Sequence, residues 1–227
     1  MIKAIIFDCD GLLVDTESVV YQVYYELYRE HDVELPLDLY VQCVGGSIAT
    51  FDPYVHLANV LNKELDFEKL RLRVKENCYK NVQSKQLLPG VKDYLQEAKS
   101  IGLKIGLASS SNREWVMDIL NNNDILHYFD AVFTRDNVKR VKPDPDLYDK
   151  SLESLGVKAN EAIIFEDSLN GLTAAKAAGA YCVVVPNEIT RNLPFEHHDL
   201  RLKSMADLCL SEVIDQVLEK SKEESSR

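Results

Sequence analysis

Two aspartates close a short apolar run near the start of the chain. The stretch "IIFDCDGLLVDTES", residues 5–18, places Asp8 and Asp10 on either side of Cys9, and Asp15 and Glu17 follow within seven residues. Alternate side chains of an extended segment share a face, so Asp8 and Asp10 can address one ligand while Cys9 points away as a filler side chain. Carboxylates this close repel one another unless a cation lies among them. Glu166 and Asp167 in "FEDSLNG" add further oxygens. An oxygen-rich, sulfur-free donor set suits Mg²⁺. Such a cation would neutralise the neighbouring carboxylates together, which gives the crowding a purpose.

These residues need a scaffold. Apolar runs at 3–7, 103–109, 130–134, 161–166 and 181–186 are four to seven residues long, as strands buried on both faces should be. Helical patterns lie between them at 111–124, 144–156 (ending at Gly156) and 168–179. The alternation predicts an α/β fold, a parallel sheet joined by right-handed crossovers and covered by helices. In such sheets ligands bind at the carboxyl ends of the strands. Asp8 and Asp10 stand at one such end and Ser109–Ser110–Ser111 at a second. Glu166 and Asp167 stand at a third, and Lys142 in "VKPDP" precedes a helix. One polar group at a strand end is ordinary; four such places in one chain are not.

Residues 16–88 break the rhythm with amphipathic helical pattern at 18–32, 52–65 and 66–82. They are expected to form a helical insertion, leaving 1–15 and 89–227 as the core. Asp15 and Glu17 are expected to serve capping and hinge hydrogen bonds. Tyr21, Tyr24, Tyr25, Tyr28 and Trp115 are expected to pack in the core or at interfaces. The polar tail "EKSKEESSR" is expected to fray.

Composition narrows the partners. A net charge of −11 argues against nucleic acid and anionic membranes, and no apolar run approaches a membrane span. Five cysteines, odd in number and never in a CxxC pair, fit reduced thiols in a cytoplasmic protein better than a disulfide framework. A monomer is the default expectation.

"DCDGLLVDTE", the serines after "IGLAS", Lys142 in "KPDPD" and "FEDSLNG" together resemble the four signature motifs of the haloacid dehalogenase superfamily, in family order from residue 3 to about 186. The first motif is most similar to that of the β-phosphoglucomutase-like phosphatases. The resemblance implies a Rossmann-like core with a small all-helical cap inserted after the first strand, at 16–88. It also implies Mg²⁺-dependent hydrolysis of a small phosphorylated metabolite through an aspartyl phosphate. By the same resemblance, Asp8 is the nucleophile, Asp10 the general acid and base, and Ser109 and Ser110 phosphate-binding groups. Lys142 is the charge-balancing cation. The metal would be held by Asp8, the Asp10 carbonyl and Asp167, with Glu166 as ligand or outer partner. A sugar phosphomutase is the alternative, weakened because the early cap helix carries only His31, well past the family's place for a histidine. A non-catalytic relative that binds a phosphometabolite is the remaining one. Specificity is expected to lie in the cap, around "CVGGSIAT" (43–50).

Overall fold

The computed structural model describes residues 1–45 and 51–225. Its centre is one parallel sheet of six strands: β1 (Ala4–Phe7), β2 (Lys104–Ala108), β3 (Ala131–Phe133), β4 (Ala162–Glu166), β5 (Tyr181–Val184) and β6 (Leu200–Arg201), in the order β3-β2-β1-β4-β5-β6. Five of these match the apolar runs. The two-residue edge strand β6 carries no hydrophobic run of its own; it exists because Leu200 and Arg201 pair with Val183 and Val184.

Alternation along the strands sorts the core into two layers. Ile5, Phe7, Ile105, Leu107, Ile163, Phe165 and Val183 face one way. They meet α5 (Val91–Ser100), α6 (Arg113–Asn122) and α9 (Leu210–Ser225). Ala4, Ile6, Ala108, Ala162, Ile164, Cys182 and Val184 face the other way, against α7 (Asp146–Leu155) and α8 (Leu169–Ala177). Small side chains on this second face let α7 lie close. A Cβ on Gly106 would stand 3.1 Å from Leu155 Cδ1.

From sequence, the polar tail is expected to fray. Residues 226–227 of it lie outside the described residues, and the rest continues α9 to Ser225, a helix that Leu210, Val213 and Val217 anchor by one face with no exposure. Glu97 of α5 caps its start, accepting from the Leu210 and Ser211 amides at 2.9 Å each.

Between β1 and α5 the chain forms α1 (Glu17–Arg29), α2 (Leu37–Tyr40), α3 (Pro53–Leu61) and α4 (Phe67–Val82). Its way out and way back run side by side. Val14 bridges Leu87, and the Leu88 amide donates to Leu13 O at 2.8 Å. Asp15 Oδ1 accepts from the Ser18 amide at 3.2 Å, the capping role expected of it. The expected specificity segment 43–50 lies partly outside the described residues, at 46–50. No disulfide links the five cysteines, and among the described residues no helix is long and apolar enough to cross a membrane.

Candidate active site

Register brings the chemistry to one level. Phe7 pairs with Leu107 on one side and Phe165 on the other, so β1, β2 and β4 end together. The ladder runs one step further: the Asp8 amide donates to Phe165 O and the Ser109 amide to Phe133 O, both at 3.0 Å. Asp8, Ser109 and Glu166 therefore emerge from rigid, hydrogen-bonded backbone.

Asp8, Glu166 and Asp167 form a buried group whose oxygens all lie within 4.8 Å of one another. Lys142, 1% exposed, reaches into it: its ammonium donates to Asp8 Oδ1 and, at 2.6 Å, to Glu166 Oε1. Burial opposes the charge on Lys142, but the Asp8 and Glu166 carboxylates outweigh it and hold the ammonium protonated, above the ordinary lysine value. Three carboxylates nevertheless face one cation. Burial, only partly offset by Lys142, pushes Asp8 up to about 7. Burial with Asp8 and Glu166 raises Asp167 well above the usual carboxylate range. The cluster is short of positive charge.

The four lone-pair directions of Glu166 are taken. Oε1 accepts from Lys142 and the Tyr148 hydroxyl, and Oε2 from the Asp167 amide and Ser168 hydroxyl at 3.2 Å each. Asp167 Oδ2 accepts from Asn187 Nδ2 at 2.6 Å. Among the described residues, Asp8 Oδ2 and Asp167 Oδ1 take no hydrogen bond, so these two atoms have lone pairs to offer a cation. Two glycines make room. A Cβ on Gly171 would overlap Glu166 Cδ at 1.8 Å, and one on Gly11, where φ is +74°, would meet Asp167 Oδ2 at 2.3 Å.

Asp10 lines the same cavity as Asp8 but faces the β2–α6 loop, outside the acidic cluster. Its Oδ2 accepts from Ser111 Oγ at 2.7 Å and Ser109 Oγ at 3.2 Å, and its Oδ1 from the Trp115 indole N–H at 2.7 Å. The expectation that Trp115 merely packs is therefore corrected: its ring packs, and its N–H grips a site carboxylate. Ser110 turns toward the insertion, donating to Gly45 O at 3.2 Å. Cys9 is fully buried; burial and the two flanking aspartates raise its thiol far above the range of a reactive one.

A cavity of about 310 Å³ opens above Asp8 and Asp10, closed on its far side by α1, α2 and α4 through Tyr24, Tyr40, Cys78 and Tyr79. Glu17, at the start of α1, also lines this cavity and is only 9% exposed. Burial first, then Asp10 and Asp8, push it up to about 8. Sequence reasoning missed Tyr148, Ser168 and Asn187 as supports. Asn187 was findable, since it follows the carboxyl end of β5 as Glu166 closes β4. Tyr148, inside α7, carries no such signal.

A parallel α/β sheet with carboxylates and a buried lysine gathered at its carboxyl edge, roofed by an inserted helical segment, defines an enzyme of the Rossmann-like class. The family model of the haloacid dehalogenase-like hydrolases matches residues 5–185, and the chain belongs to that family. YhcW of Bacillus subtilis (strain 168) is 44% identical, across 95% of this chain and 97% of its own length. The "Phosphorylated carbohydrates phosphatase" of Thermotoga maritima is 34% identical across 78% of this chain and 82% of its own. Among solved structures, CbbY from Rhodobacter sphaeroides in complex with phosphate superposes with a TM-score of 0.73 at 29% identity, covering 92% of this chain and 96% of that one.

Proposed function

We propose that the chain is a Mg²⁺-dependent phosphatase that hydrolyses a small phosphomonoester, a sugar phosphate or similar metabolite, through an aspartyl phosphate on Asp8. The enzyme class is phosphoric monoester hydrolase. The observation that carries the reading is the buried acidic trio with its ammonium, one member of which, Asp8, lines a cavity of about 310 Å³. Such a site, short of positive charge, suits a divalent cation, and without one it would repel an anionic ester. Asp8 Oδ2, Asp167 Oδ1 and the Asp10 carbonyl would hold Mg²⁺; Glu166, its lone pairs already taken, orients Lys142. Bound there, the cation would offset carboxylate charge and polarise the phosphoryl oxygens.

Each protein group then has a task. Asp8 attacks phosphorus and divides one displacement into two. Asp10 protonates the leaving oxygen and afterwards takes a proton from the hydrolytic water. Lys142 and the Ser109 hydroxyl balance the charge that builds on the transferring group. We assign residues 16–88 to a cap, hinged at the paired 13–14 and 87–88 segments, that excludes bulk water. No histidine lies among the described residues lining the cavity, which favours hydrolysis over phosphomutase chemistry. The test is phosphate release from a panel of phosphomonoesters with Mg²⁺. Release abolished by chelator and restored by Mg²⁺ is expected. No release from any sugar phosphate, nucleotide or aryl phosphate would favour a binding module instead.

A further inference from the structure

One of the three donors around Asp10 is unlike the others. Ser109 and Ser111 offer hydroxyls, which rotate and can either donate or accept. Trp115 offers an indole N–H, which only donates and sits on a ring whose place is set by packing. That ring is 9% exposed at the first turn of α6, where the Trp115 amide is tied to Asn112 Oδ1 at 2.9 Å. From the inserted segment, Tyr79 of α4 meets it edge to face, with centroids 4.8 Å apart and planes at 76°. A single indole thus joins a helix of the insertion to a carboxylate of the core.

We propose that Trp115 is a positioning residue for Asp10: its N–H aims the carboxylate, and the seating of Tyr79 holds the indole where it can do so. This rests on Asp10 being the group that protonates the leaving oxygen. A carboxylate released from the indole turns more freely about its last torsion, a broad and soft one. The acid then faces the leaving oxygen in fewer encounters. The loss falls on esters whose leaving oxygen needs a proton and spares those that depart unaided.

Benzyl phosphate and 4-nitrophenyl phosphate separate the two cases. Their leaving groups are similar in size, but benzyl alkoxide requires protonation and 4-nitrophenolate does not. The parameter kcat/KM covers the steps up to leaving-group departure, so hydrolysis of the covalent intermediate does not enter. Positioned acid–base groups contribute roughly 10²–10⁴-fold, so Trp115→Phe should lower kcat/KM for benzyl phosphate by about tenfold or more and for 4-nitrophenyl phosphate by under about twofold. Tyr79→Leu should show the same selectivity to a smaller degree. It should also shift the emission of Trp115, the chain's single tryptophan. Equal losses on both esters, or no loss, in a folded Trp115→Phe protein overturn the proposal. Should that variant not fold, Tyr79→Leu decides, and an unselective effect there overturns it. Asp10→Ala separates this proposal from the reading beneath it. Undiminished benzyl phosphate turnover in Asp10→Ala removes Asp10 as the acid. An inactive Asp10→Ala beside an unselective Trp115→Phe removes only the role of Trp115.

Discussion

Replacing Lys142 with Met removes the one ammonium in the acidic cluster while keeping a flexible chain of similar length. Lys142 Nζ serves two carboxylates, bonding Asp8 and, at 2.6 Å, Glu166, and lies 4.9 Å from the centre of the Tyr148 ring. With side-chain exposures of 1% for the lysine and 6% and 0% for Asp8 and Glu166, solvent cannot replace the lost contacts. Breaking a buried ion pair on one side costs about 3–5 kcal/mol, because the partner charge is left stranded. At this chain length each kcal/mol moves the midpoint by roughly 2–4 °C, so the variant should melt about 6–20 °C lower without added metal. Its kcat should fall by about 10²–10³ or more, the usual loss when a donor aimed at developing charge is removed. Lys142→Arg should not restore activity, since a planar, wider guanidinium has no room in this enclosed seat. The assays are thermal unfolding by circular dichroism and steady-state phosphate release. A midpoint within about 1 °C of wild type would mean that Lys142 does not hold the carboxylates together, and the electrostatic account of the site would fail.

Gly171→Ala should act at a distance from the ligand. The new methyl would overlap Glu166 Cδ at 1.8 Å, so Glu166 must leave the seat from which it holds Lys142. Overpacking of this kind costs about 1–3 kcal/mol, and both the unfolding midpoint and kcat should fall together; loss of neither would show that the α8–β4 approach is looser than described. Glu97→Gln tests the cap on α9. Burial opposes ionisation of Glu97, but hydrogen bonds from the Ser211 hydroxyl and the Leu210 and Ser211 amides outweigh it and hold its pKa below the ordinary 4.5. A depressed carboxylate adds stability that is present above pH 4.5 and disappears as pH falls through the lower folded value. Urea unfolding should therefore find the variant less stable than wild type by about 1 kcal/mol at neutral pH, with the gap closing in acid; a gap that widens in acid would refute the assignment.

The core strands were legible because burial on both faces leaves an uninterrupted apolar run, and β1, β2, β4 and β5 each carry one. Asp8, Ser109 and Glu166 were legible for the related reason that polarity at a buried strand's end is costly without a purpose. Elements held by their neighbours were harder to see. Two-residue β6 exists through pairing with β5, and the polar end of α9 continues a helix anchored by Leu210, Val213 and Val217. Single residues misled in the same way. Trp115 reads as a packing residue because sequence shows an indole's size but not where its N–H points. Glu17 reads as a cap because its place at the start of α1 is visible, whereas the fold of α2 and α4 over it is not. Gly171 carries no sequence signal of its role, which is to leave Glu166 the space where a side chain would be.

If Asp8 is the nucleophile, it becomes covalently phosphorylated during turnover. Mixing enzyme, Mg²⁺ and a turned-over phosphomonoester, quenching within one turnover, and reducing with borohydride would convert an aspartyl phosphate into homoserine that peptide mass mapping can locate. Homoserine is expected at position 8, absent without substrate and absent in Asp8→Asn, which should also release no phosphate. Modification at another carboxylate, or full turnover by Asp8→Asn, would contradict that assignment.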